Sequence, residues 1–418
     1  MLDVMHRRGM IGRWQGHRWH ALLLIPFLLL GSGLPAGAQE TSPEASPAAS
    51  PAASPVGSEG GAGWRVADER RLAIDGEPVT LSPDGRWVAG RGPEQEFCVW
   101  EIETLDAVCD GQDLAIRPES IAWAPDSSAV AFALEAAKFL IDSDIYVFEV
   151  ADRELNNLTD DGIEEVDLLG DDESGEPLRI DDVPAWSPDS QSLVFARSRW
   201  VSDGLRGTTV VRIERAGGET ETLFSVDLNL PFAVYFPMHW FECDRLLYTV
   251  LLPDSDDERN GLYITDLDGA NDRLLVPGDS TAEVPGPWVT DVAPDGAYAT
   301  VYSALRVGQF SGEGDAYYLV DLGSGELTPI RTGEEPDTLI GLPPTLSPDG
   351  ETLLFTVFTG SERHLAVQDV ATGELAVLAS DVDFSGAVGF RGLDWAENDT
   401  VFIPFGDASM LLTLERTD

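Results

Sequence analysis

The chain has 418 residues and a formal net charge of −48, with 74 acidic side chains against 26 basic ones. Such a chain repels nucleic-acid phosphate and anionic lipid unless a local basic stripe intervenes, and the sequence contains no such stripe. At 43% hydrophobic and 9% aromatic residues it is globular over most of its length, because long disorder requires lower hydrophobicity.

In chain order, Arg7, Arg8, Arg13 and Arg18 come first, then the apolar run ALLLIPFLLL at 21–30, then Ala36-Gly37-Ala38. A basic start, an apolar stretch and small residues at a cleavage point make residues 1–38 an export signal, cut after Ala38. The apolar run falls short of the roughly 20 residues that span a bilayer, so an uncleaved anchor is the lesser alternative and no integral span is expected after cleavage. Residues 39–63 repeat an SPAA unit and contain mainly Ala, Ser, Pro and Gly. They cannot bury a core and read as a disordered tether. The folded domain is expected over 64–418, in a secreted, cell-surface or periplasmic protein.

A degenerate repeat then sets the architecture. Its marker is a short strand, Ser/Ala-Pro-Asp-Gly/Ser and an apolar strand. It occurs around Pro83, Pro125, Pro188, Pro294 and Pro348, with weaker copies at Glu242 and Glu397. Trp123, Trp186, Trp240 and Trp395 share one repeat position, which supports the weak copies. Successive markers stand 42, 63, 54, 52, 54 and 49 residues apart, the length of one four-stranded propeller blade with its loops. Each of the first six markers is followed by a hairpin pattern, such as CVWEIETLDAVC at 98–109 and LAVQDVATGELAVLA at 365–379. The fold class predicted is all-β: a seven-bladed propeller of four-stranded antiparallel blades. Six blades result if one weak copy is false. The last unit lacks an outer strand, and RRLAID at 70–75 is an orphan that supplies it, closing the ring and removing the open edge.

These motifs resemble the TolB-like, WD-type β-propeller repeats of exported bacterial proteins, over about residues 70–418. The resemblance implies a fold and a tendency to bind, and leaves the function open.

The marker aspartates Asp84, Asp126, Asp189, Asp295 and Asp349 are expected to be turn residues, because Pro, Asp and Gly each suit a tight turn. Ser82-Pro83-Asp84-Gly85-Arg86-Trp87 also resembles a sialidase Asp-box, but that box belongs on the C–D turn of a blade and this copy lies on A–B. Cys98 and Cys109 fall opposite each other on strands C and D of the first blade, within reach for a disulfide in an exported protein. Cys243 is left as a lone thiol.

Loop length points to the functional face. The B–C and D–A loops are long at 135–143, 160–182, 198–207, 253–260, 304–315 and 332–343, whereas the A–B and C–D turns are short. Long loops tend to carry binding. That face is acidic: the candidate binding residues are Asp160, Asp161, Glu164, Glu165, Asp167, Asp171, Asp172, Glu173, Asp181, Asp182, Asp254, Asp256 and Asp257. They offer a Ca2+ site or a surface for a basic partner, or simply a solvated loop that keeps the protein soluble. No other cofactor is expected. Only His239 and His364 follow the signal, on different blades, and no G-x-S-x-G elbow or zinc spacing occurs, which argues against a triad or a His-rich metal centre. The reading is therefore a monomeric, non-enzymatic module that binds a protein, peptide or envelope component. The alternative is a carboxylate-dependent glycan- or lactone-active enzyme with its site at the channel mouth.

Overall fold

The computed structural model describes residues 63–111, 114, 116–134, 143–160, 178–201, 204–226, 238–242, 244–252, 254–303, 317–330, 343–359, 362–378, 393–404 and 409–417. They form seven four-stranded antiparallel sheets, the blades of a seven-bladed β-propeller. Among the described residues there is no α-helix, only one 3₁₀ turn at Pro118–Ser120. No helix of the described residues is long and apolar enough to cross a membrane.

Within each blade the strands run A, B, C, D outward, and neighbouring blades touch through their A strands, which wall the channel. The A strands of blades 1 to 7 are Glu77–Leu81, Ala122–Trp123, Leu178–Trp186, Met238–Phe241, Pro287–Val292, Thr345–Leu346 and Asp394–Trp395. Strands B and C carry the apolar core. Ala129–Ala133 of blade 2 is buried throughout. Packing between adjacent blades forms separate hydrophobic clusters, such as Phe97, Val99, Phe132 and Phe148 between blades 1 and 2.

The marker turns explain their own sequence. Ser82, Ser187 and Ser347 each donate through Oγ to the following aspartate, at 2.6, 2.6 and 2.5 Å. Their hydroxyls also accept backbone N–H groups from the start of strand B, as in Trp87 N–H to Ser82 at 3.0 Å. Position four of the marker is left-handed in every Pro-containing copy: Gly85, Ser127, Ser190, Gly296 and Gly350 have φ between 60° and 72°. Where it is serine, the hydroxyl joins blades. Ser127 Oγ accepts from Asp84 N–H at 3.0 Å, and Ser190 Oγ accepts from Asp126 N–H at 3.1 Å. Where it is Gly85, the side chain of Asn398 from blade 7 sits so close that a Cβ would meet Oδ1 at 2.3 Å.

Blade 7 closes the ring as expected from the orphan strand, although that strand begins earlier, at Trp64. Trp64–Leu72 pairs antiparallel with Ser409–Arg416, from Trp64 opposite Arg416 to Leu72 opposite Ser409. Trp64 packs edge-on against Trp395 at 5.0 Å, and the Arg416 guanidinium lies 4.9 Å from its ring. The Trp64 indole N–H donates to Thr352 Oγ1 of blade 6 at 3.3 Å. Trp64→Ala should therefore cost about 3–5 kcal/mol in urea unfolding. Deleting Trp64–Leu72 should leave a chain that aggregates, measured by light scattering, because the edge of Ser409–Arg416 is then bare. Unchanged unfolding midpoints in both variants would contradict this account of closure.

Candidate functional site

The repeat acids sort first. Asp321 accepts from Ser324 N–H at 2.7 Å and Asp369 from Thr372 N–H at 2.7 Å, each bending a C–D turn. These hydrogen bonds hold both carboxyls below the usual range. Asp189 is held low in the same way by Ser187 and the Gln191 amide. Such acids are fully committed to turns. The cleft of about 410 Å3 between blades 1 and 2, lined by Arg86, Trp87, Asp126, Phe148 and Arg153, opens on this turn face. Burial pushes Asp126 up, but hydrogen bonds from Ser128 and the charge of Arg215 leave it low. It is poorly placed for proton transfer near neutrality.

On the opposite face, the candidate acids separate. Asp161, Glu164, Glu165, Asp167, Asp171, Asp172 and Glu173 lie outside the described residues. Asp160 is exposed. Asp254 Oδ1 accepts from Asp256 N–H at 3.1 Å, Asp256 meets the Ser280 hydroxyl, and Asp257 grips the Arg259 guanidinium through both oxygens. Arg259 pulls Asp257 down to about 2. Asp181 and Asp182 are not in a loop. They belong to strand A of blade 3, Leu178–Trp186.

Blade 3 is built taller than its neighbours. Its strands B and C run over Ser192–Val201 and Gly204–Glu214, so 198–201 and 204–207 are paired strand rather than loop. Leu178 pairs with Trp200, and Val201 with Gly204. Counting back from the marker Trp186, this extension lifts Asp181 and Asp182 along the channel wall, at the end where B–C and D–A connections emerge.

Two acid–arginine pairs stand side by side there. Asp181 is 2% exposed and takes Arg197 through both oxygens, Nε to Oδ1 at 2.7 Å and Nη2 to Oδ2 at 2.6 Å. Its backbone is stitched to blade 2: Asp181 N–H donates to Ser143 O at 2.8 Å, and Ser143 Oγ donates to Asp181 O at 2.9 Å. Burial pushes the Asp181 carboxyl up, Arg197 and Thr159 pull it down, Asp144 pushes again, and the balance is upward. Asp182 is half-buried and pairs with Arg117, which lies just before strand A of blade 2. Burial raises Asp182 above the usual carboxylate range. Arg117 and the Val183 amide oppose this, and the charge of Glu119 adds to it.

The next residue is strained. Val183 has φ of 48°, although it is β-branched and precedes Pro184. Its N–H donates to Asp182 Oδ1 at 2.8 Å, which ties the left-handed backbone to the carboxylate beside it. Strain of this kind is concentrated at functional positions. A partly open acid with raised proton affinity, a neighbouring guanidinium and a second carboxylate can accept and return a proton. Sequence reading placed Asp182 among loop acids and missed Arg117 and Glu119. The available signal was the distance from Asp182 to the marker Trp186, which fits a strand.

The remaining chemistry is dispersed. Cys98 and Cys109 form the expected disulfide. His239 lies on strand A of blade 4 and His364 on strand C of blade 6. Cys243 is outside the described residues.

No protein-family model and no curated protein matches the chain. Solved structures do. An oligogalacturonate lyase in complex with manganese superposes with a TM-score of 0.53 at 14% identity, covering 83% of this chain and 90% of that one. An oligogalacturonate lyase from Vibrio parahaemolyticus gives 0.54 at 12% identity, covering 83% and 91%. TolB from Acinetobacter baumannii gives 0.37 at 16% identity, covering 81% and 79%, too weak a superposition to argue from. At these identities the likeness establishes the β-propeller fold.

Two expectations are corrected here. The non-enzymatic binding module is overturned by the two lyases: both superpose over 83% of the chain and both are enzymes, which backs the enzymatic alternative. The expectation of no cofactor is overturned by the manganese that accompanies one of them. The described residues nevertheless do not fit that ion. Manganese favours carboxylate, carbonyl and water oxygens. Among the described residues the one set of three ligating side chains is Glu96, Cys98 and Cys109, and its two sulfurs are bonded to each other.

The Asp181 pair yields a direct test of its structural part. Arg197→Met leaves a buried carboxylate without its cation and should cost about 3–5 kcal/mol in urea unfolding. Adding Asp181→Asn should recover most of that loss. Equal losses in the single and double variants would show that Asp181 does not depend on Arg197.

Proposed function

We propose that the chain is an exported, carboxylate-dependent enzyme acting on an anionic glycan at the mouth of the propeller channel. The observation that carries this reading is Asp182: a half-buried acid of raised proton affinity on the channel wall, paired with Arg117 and followed by the strained Val183. Asp182 moves the proton, with Glu119 as the second carboxylate. The exposed Arg179 on the same strand, and Arg117 when its pair opens, read a substrate carboxylate by bidentate hydrogen bonds. Two oligogalacturonate lyases that share the fold support this substrate class. Export is supported by the signal at 1–38 and by the disulfide, which suits an oxidising compartment.

The test is cleavage of polygalacturonate and of a neutral polysaccharide by the purified mature chain, with Mn2+ added or chelated. Cleavage of the anionic chain alone is expected, read as new reducing ends. Asp182→Asn should lower kcat by about 100-fold or more, the range for a lost proton-transfer group. As a base, Asp182 works when deprotonated, so the rate should rise with pH through a limb above the usual carboxylate value of about 4. Asp182→Asn should lose that limb. Full activity in this variant, or no cleavage of either substrate under either condition, would defeat the proposal.

A further inference from the structure

We propose that Glu96, Cys98 and Cys109 form a thiol-gated site for a soft divalent cation, with Zn2+ as the probe, which comes into being when the disulfide is reduced. The site lies in blade 1, away from Asp182. The B–C turn closes through Glu96 and Gly92: Gly92 N–H donates to Glu96 O at 2.8 Å and Gln95 N–H donates to Gly92 O at 3.1 Å. Glu96 precedes strand C, Phe97–Glu101, and Cys98 follows two residues later, on the same face of an extended chain. Cys109 stands opposite Cys98 on strand D, Ala107–Asp110.

The Glu96 carboxyl is unexplained by the oxidised fold. The residue is 7% exposed, and among the described residues Oε2 has no hydrogen-bond partner. Oε1 lies 3.7 Å from Cys98 Sγ, which carries no proton while it is bonded to Cys109. A buried carboxyl without a donor or a cation is costly. Gly92 closes one side of the pocket: a Cβ there would stand 2.4 Å from Glu96 Oε1 and 2.5 Å from Cys98 Sγ. The other side is open, because Cys109 is exposed. One oxygen of Glu96 and the two sulfurs lie within 4.8 Å of one another.

Two thiolates and a carboxylate with one position left to water make a tetrahedral zinc set. The same set suits manganese poorly. The gate is a small-molecule thiol. Two equivalents of R–SH convert Cys98–S–S–Cys109 into two cysteine thiols and one R–S–S–R, with first attack at the exposed Cys109. Zn2+ then displaces both thiol protons and takes Glu96 as its third ligand, with release of two H+.

The experiment uses the full chain, oxidised or reduced by a monothiol that is then removed without air. Zn2+ is titrated against a chromophoric competitor, and Co2+ reports thiolate ligation by its charge-transfer absorption. One equivalent should bind the reduced chain and none the oxidised chain. Glu96→Gln should weaken binding by at least about tenfold, and C98S/C109S should abolish it, with Cys243 still present as the control thiol. Circular dichroism follows the fold throughout. Equal binding by the oxidised chain, full affinity in Glu96→Gln, or a reduced chain that unfolds or takes no zinc overturns the site.

Discussion

Everything in this molecule depends on how a linear array of sheets avoids an open edge. Seven blades leave one unpaired strand at each end of the chain, and each exposes a row of backbone donors and acceptors. Pairing Trp64–Leu72 with Ser409–Arg416 covers the bare edge of the last strand and gives the first strand a partner. The ring so closed fixes where each strand A lies, and therefore which side chains meet across the channel. Trp64 reinforces the pairing from the side, between Trp395, Arg416 and Thr352 of blade 6. The closure is thus both a sheet ladder and an inter-blade contact.

Scarcity of cations shapes the rest. With 26 basic residues against 74 acidic ones, most acids must be stabilised by something other than a cation. Backbone N–H groups serve the turn acids, as at Asp321 and Asp369. Some arginines go to acids that are buried or partly buried. Arg215 is the clearest case. The equivalent position is Ile102 in blade 1 and Val150 in blade 2, each donating its N–H to the strand A–B connection. In blade 3 Arg215 makes the same bond, to Gln191 O at 2.9 Å, and its side chain also reaches blade 2, holding Glu149 and the Ser128 hydroxyl. Blade 3 is therefore fastened to blade 2 by Arg215 on the turn face and by Arg117 and Ser143 on the other.

The fold was legible because its signals are local and repeated. Pro, Asp and Gly or Ser at fixed spacing dictate a turn regardless of context, and seven copies reveal a period even when two lack the proline. Cross-strand cysteines were legible for the same reason, since a short hairpin fixes their register. The candidate site was much less so. Asp182 looks like one more acid in an acidic stretch until strand A is seen to start at Leu178. Its partner Arg117 is 65 positions away in sequence and belongs to another blade. The left-handed φ of Val183 is invisible in a residue type that avoids it. Likewise Glu96 is an ordinary loop glutamate by sequence, and only its burial beside a sulfur sets it apart.

The two kinds of acid respond oppositely to pH, and this separates architecture from chemistry. Turn acids such as Asp189, Asp321 and Asp369 have folded values below the ordinary range, so the stability they contribute is present above about pH 4 and fades as pH falls through their folded values. Asp181 and Asp182 have folded values above it. Each binds a proton more readily folded than unfolded, so its contribution is greatest below about pH 4 and is lost as pH rises through the folded value. At neutral pH the fold is held by the first group and works against the second. A position kept at a cost to stability, on the strand that lines the channel and next to a strained valine, is where a structural explanation is weakest and a chemical one strongest. Asp181 escapes that conclusion because Arg197 takes both of its oxygens inside the blade. Asp182 does not: its carboxylate is divided between Arg117 and the Val183 amide and stays partly open to the channel end of the blade.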